Sequence, residues 1–160
     1  MSEHDLTTTT YSAFNASNPP WGNAGSGFGE STVLKFHIDI ADIEDLLGSS
    51  IGASDVLHLW DIPIGTEIRH VMIVTRALDT AVGGVTVSCG DSTSAAAFMG
   101  AIALPAVSAA IGSALTTDAY AILGGRVYTA ANILHLTFGT AVPAGAIFDL
   151  YVYCTMVDYL

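Results

Sequence analysis

Five histidines, His4, His37, His58, His70 and His135, are the first residues to weigh as metal ligands or proton carriers. A zinc site read from sequence shows a close helical pair of histidines or short Cys spacings, because its ligands must converge on one ion. None of the five has such a partner, so they are expected on strand faces or in the core. His37 and Asp39 share one strand face, where a metal or proton relay would need a third ligand from elsewhere. Asp39, Asp42, Glu44 and Asp45 form the densest acidic cluster. Oxygen-rich loops hold calcium, yet this spacing departs from the EF-hand pattern, and a solvated turn accounts for it. Gly25-Ser26-Gly27-Phe28-Gly29 has the glycines of a phosphate cradle but lacks a strand leading in, a helix leading out and any Gly-Lys-Ser/Thr. Neither Cys89 nor Cys154 has a histidine nearby in sequence to activate it. The chain therefore does not read as an enzyme, and no catalytic residue, metal or cofactor is expected.

Composition narrows the remaining classes. The net charge of −11 arises from 15 acids against Lys35, Arg69, Arg76 and Arg126, which are scattered along the sequence. Displacing counterions from a polyphosphate needs clustered Lys and Arg, so nucleic acid is not an expected partner. Charged residues make up only 12% of the chain, against roughly 25% in typical soluble domains. A surface so short of charge is expected to have something lying on it. Cys89 and Cys154 each sit inside an apolar alternation, as free thiols acting as small buried hydrophobes do. Met1-Ser2-Glu3-His4-Asp5 carries acids where a signal peptide carries bases, so synthesis in a reducing cytoplasm is expected. Residues 92–117 lack charge, but Ala, Gly and Ser dominate them, Pro105 interrupts them and only acids flank them, so no membrane span is expected.

Two regions differ in pattern. Residues 1–31 show no helical or strand period and are punctuated by Pro19, Pro20 and several glycines, as an extended arm is. Tyr11, Phe14, Trp21 and Phe28 set it apart from disordered tails, which are poor in aromatics. From Val33 onward, Leu34, Phe36, Ile38 and Ile40 alternate against Val33, Lys35, His37 and Asp39, the period of a half-buried strand, and a domain spanning 32–160 begins. Residues 41–48 allow one helical turn. Further strands are expected over 55–62, 66–77, 85–89, 120–123, 126–128, 132–138 and 147–157, with Pro63, Gly83-Gly84, Gly90-Asp91, Gly124-Gly125 and Pro143 as breaks. The Ala-rich stretch between 92 and 117 suits one or two short strands and a long loop, although its composition would also suit a helix. In the last strand Phe148, Leu150, Val152, Cys154 and Met156 are expected inside, and Asp149, Tyr151, Tyr153 and Thr155 outside.

Short strands spaced about ten residues apart define an all-β chain, a jelly-roll-like β-sandwich or barrel of about eight strands behind an extended N-terminal arm. Three runs carry a family likeness: Asp55-Val56-Leu57-His58-Leu59-Trp60-Asp61-Ile62-Pro63-Ile64-Gly65-Thr66, Val85-Thr86-Val87-Ser88-Cys89-Gly90-Asp91 and Arg126-Val127-Tyr128-Thr129-Ala130-Ala131-Asn132. With these turn and strand signatures the chain resembles the small decoration, or cement, proteins of tailed-bacteriophage heads. The resemblance implies a subunit, often trimeric, on the outer capsid surface of the virion, bridging neighbouring copies of a major capsid protein. Tyr11, Phe14, Trp21 and Phe28 would then anchor the arm on adjacent subunits, as large aromatics do at interfaces. Two alternatives stand beside it. One is another structural virion component, such as a head fibre base, a tail protein or a minor capsid protein. The other is a carbohydrate-binding sandwich in which Trp60, Tyr151 or Tyr153 stacks on a sugar.

Overall fold

The alternation that begins at Val33 produces the first long strand of a two-sheet structure. The computed structural model describes residues 3–5, 31–78, 84–104, 111–112 and 125–156. In chain order the elements are β1 (Glu3–Asp5), β2 (Ser31–Asp39), α1 (Ile40–Leu47), β3 (Val56–Ile62), β4 (Thr66–Ala77), β5 (Thr86–Asp91), β6 (Ser94–Ala103), β7 (Ile111–Gly112), β8 (Arg126–Val127), β9 (Asn132–Phe138) and β10 (Ile147–Met156). The expected turn of helix becomes two turns. Asp39 caps its start by accepting from the Ala41 amide at 3.1 Å, and Gly48 ends it in the left-handed region at φ 66°.

Sheet A has the order β1-β3-β9-β5-β6; sheet B has β2-β10-β4, with β7 and β8 pairing successive stretches of the far side of β4. Taking β7 and β8 as one interrupted strand, each sheet holds four main strands, and only the β5–β6 hairpin joins two consecutive strands of the same sheet. Every other step crosses the sandwich, which is jelly-roll winding. Three residues expected in the arm, Glu3–Asp5, instead add to β3 as a short parallel edge strand. The rest of the arm lies outside the described residues.

The core forms between the sheets as one cluster. Leu34, Phe36 and Ile38 of β2 and Phe148, Leu150, Val152 and Cys154 of β10 face Leu57 and Ile62 of β3 and Leu134, Leu136 and Phe138 of β9. Phe138 and Phe148 meet edge to face across the sandwich, with centroids 6.1 Å apart. Both cysteines are buried and free, and burial pushes the Cys154 thiol up to about 12 and that of Cys89 higher still.

Two features depart from simple alternation. The pairing of β4 with β10 skips Arg69 and Arg76, so each arginine is the extra residue of a bulge. The period of two along β4 is thereby shifted: Ile68, Val71, Ile73 and Thr75 are fully buried, while His70 and Met72 are half-exposed. Within the Ala-rich stretch, Ser94–Ala103 form the ten-residue strand β6, because pairing with β5 outweighs the helical preference of alanine. Among the described residues no helix is long and apolar enough to cross a membrane.

Candidate interaction surfaces

Residues 63–66, 90–94 and 126–132 meet at one end of the sandwich. Asp91 closes the β5–β6 hairpin, its Oδ1 accepting from the amides of Thr93 at 2.8 Å and Ser94 at 3.1 Å. Its Oδ2 accepts from the Tyr128 hydroxyl at 2.5 Å and lies 2.8 Å from Arg126 Nη1. Arg126 also stacks over the Tyr128 ring, 5.4 Å from its centroid. Tyr128 exchanges backbone bonds with the Pro63–Thr66 turn: its carbonyl accepts from Gly65 at 2.8 Å and its amide donates to Thr66 at 2.8 Å. Gly65 sits at φ 85°, which glycine adopts without strain. Asn132 finishes the contact by accepting from the Ser92 amide at 3.1 Å. Gly90 is required beside Asp91, since a side chain there would collide with the backbone of Ser94 and Ala95. Burial, then the bond to Asp91, holds the Tyr128 hydroxyl far above its ordinary pKa. These residues clasp sheet A to sheet B through bonds that Asp91 and Tyr128 make on both sides.

The outer face of sheet B is built differently. Register places Asp149, Tyr151 and Tyr153 of β10 between His37, Lys35 and Val33 of β2 and Val74, Met72 and His70 of β4. Asp149, expected to be exposed, is buried at 1% because three cationic or proton-bearing side chains close over it. His37 Nδ1 lies 2.7 Å from its Oδ1, Lys35 Nζ 3.1 Å from its Oδ2, and Arg76 Nε donates to that oxygen at 2.8 Å. Burial alone would raise the Asp149 carboxyl, but the bonds from His37, Lys35 and Arg76 outweigh it and hold the group below the usual carboxylate range. Arg76 Nη2 also donates to the Tyr151 hydroxyl at 3.2 Å, and Lys35 lies over the Tyr151 ring at 5.9 Å. At the far end of β4, Arg69 donates twice to Glu67, at 2.9 and 2.7 Å. His37 thus pairs with Asp149, and Asp39 is occupied with capping α1.

The other sequence candidates are placed as follows. His58 and His135 face each other across β3 and β9, centroids 6.2 Å apart, in a shallow groove of about 410 Å³ beside the β5–β6 hairpin. Two imidazoles fall short of a zinc ligand set, and among the described residues no three His, Cys, Asp or Glu are grouped to hold a metal. Of the acidic cluster, Glu44 accepts from the Ile51 amide at 2.8 Å, while Asp42 and Asp45 point to solvent. Trp60 is buried at 5% and offers no ring to a sugar; Tyr151 and Tyr153 are half-exposed. Sequence reasoning passed over Gly48-Ser49-Ser50-Ile51-Gly52, which has the spacing of a nucleophile elbow but leaves the end of a helix instead of joining a strand to one. Tyr11, Phe14, Trp21, Phe28 and the glycine run at 25–29 lie outside the described residues. Sequence reasoning missed Asp149 and Arg76; their only signal was a lone acid in an otherwise uncharged strand and a cation within an apolar one.

The arrangement is that of a β-sandwich with a cross-sheet clasp and a cationic, tyrosine-bearing outer face. No protein-family model matches the chain, and no curated protein does. Among solved structures it is similar to a chain of the capsid of Ralstonia phage GP4, with a TM-score of 0.62 and 14% identity over 84% of this chain and 89% of that one. A chain of the cyanophage Pam1 capsid asymmetric unit aligns at a TM-score of 0.47 and 15% identity, over 90% of this chain and 98% of that one. The fold is thus shared with a capsid chain over most of both lengths.

Proposed function

We propose that the protein is a structural virion protein that decorates and stabilises a phage capsid by bridging neighbouring major capsid subunits, as a trimer on the outer surface. The observation that carries this is the fold shared with a chain of the Ralstonia phage GP4 capsid across 84% of the sequence. The low charge content and the strand and turn runs gathered at the clasp support it. Tyr11, Phe14, Trp21 and Phe28 anchor the arm on adjacent subunits in this reading, since buried aromatics dominate interface energetics. The role is one of contact and not of chemistry.

Purified protein added to undecorated phage heads tests it. Particle images are expected to show added density on the outer shell, and a chain lacking residues 1–31 is expected to bind more weakly. Density confined to the portal or tail would replace decoration with another structural role. Equal binding without the arm would remove Tyr11, Phe14, Trp21 and Phe28 from the interface.

A further inference from the structure

The geometry points to a self-association contact in which the outward stripe of α1 in one protomer docks on the outer face of sheet B in the next. This rests on the homo-oligomer in the reading above and names the two surfaces that build it. Three of the chain's four Lys and Arg residues, Lys35, Arg69 and Arg76, lie on the sheet B face. Their side chains are 49%, 53% and 46% exposed, whereas their acidic partners Asp149 and Glu67 are only 2% and 11% exposed. The acids are therefore the floor and the cations the surface, in a chain whose net charge is −11. Tyr151 and Tyr153 run down the middle of the patch, and Val33, exposed at 48%, borders it. Tyrosine and arginine are among the residues that interfaces favour.

The complement is on the same chain. Asp42, Asp45 and Leu46 are all exposed and stand three and four residues apart on α1, which places them on one side of the helix. Ile40 and Ile43 occupy the opposite, fully buried side. Leu46 is one of four large hydrophobic residues exposed among the described residues, and Val33 is another. Each patch thus pairs one exposed aliphatic with charges of opposite sign. Two different complementary patches on one chain make a heterologous contact, which closes into a ring when its rotation permits.

Sedimentation of full-length protein tests this with variants that leave the Asp149 cluster intact. Asp42→Lys with Asp45→Lys is expected to weaken association ~10-fold or more, as opposed charges at a contact become like charges. Val33→Asp is expected to weaken association as well, since it puts a charge where the contact would bury an aliphatic side chain. Raising NaCl is expected to weaken the wild-type oligomer. Variants that associate as tightly as wild type, with unchanged circular dichroism, would overturn the contact. A wild type that is monomeric yet decorates heads would overturn it while leaving the capsid reading intact. An oligomer that these variants weaken but that never binds heads would support the contact and remove the capsid reading. Variants that self-associate normally but lose head binding would assign the face to the shell protein and overturn the contact with a second copy.

Discussion

Asp91 and Asp149 are both buried carboxylates attended by an arginine and a tyrosine, yet the two groups are assembled for opposite ends. Around Asp91 the tyrosine donates to the carboxylate, the arginine lies on the tyrosine ring, and two turn amides take the other oxygen. The cluster joins strands of different sheets and turns inward. Around Asp149 all the partners belong to three neighbouring strands of one sheet, and the tyrosine accepts from the arginine. Arg76, Lys35 and His37 remain about half exposed while they cover the acid. One cluster closes the sandwich; the other turns an acidic strand into a cationic face.

That comparison is open to breakage in graded steps. Replacing Asp91 with Ala removes the acceptor of two turn amides and a hydroxyl and leaves Arg126 without its carboxylate. The expected loss is about 3–5 kcal/mol in chemical denaturation, the range for breaking a buried charge pair. A loss below 1 kcal/mol would mean that the clasp does not hold the sheets. Asp149→Asn is expected to cost less, about 1–3 kcal/mol, because its partners can turn to water. It also carries a pH signature. The folded carboxyl is held below its unfolded value, so its contribution is complete above about pH 4 and is lost as pH falls through the lower folded value. Wild type and variant are expected to converge in stability under acid and diverge above pH 4; a constant gap would contradict the assignment.

Smaller effects separate the two tyrosines. Tyr128→Phe deletes a buried bond to a charged acceptor and is expected to cost about 1–2 kcal/mol. Tyr151→Phe, half-exposed, is expected to change stability by less than about 0.5 kcal/mol. Equal effects would erase the distinction between an inward and an outward cluster. Neither Cys89 nor Cys154 is expected to react with a thiol reagent at pH 8 in the native state, and both are expected to react after unfolding.

Much of the architecture was legible from local pattern. The alternation of Leu34, Phe36, Ile38 and Ile40, the breaks at Pro63-Ile64-Gly65 and Gly90-Asp91, and the apolar run of β10 mark strands whose limits the structure reproduces within a residue or two. A half-buried strand writes its period into the sequence, because each side chain meets either core or water. The surfaces were far less legible. Asp149 looked solvent-facing by parity, and Arg69 and Arg76 interrupted the alternation without any local sign that each occupies a bulge.

What the sequence alone determined is the all-β character, the buried free cysteines and the poverty of charge, since these follow from residue type and spacing within a few positions. What the tertiary structure decided is which cations meet which acids. Lys35, Arg76 and Asp149 are separated by up to 114 residues and share a site because β2 and β4 flank β10. Asp91 and Tyr128 meet only because jelly-roll winding brings the β5–β6 hairpin against β8. Coulomb attraction and hydrogen bonding depend on distance in space, and strand order sets that distance where local spacing does not.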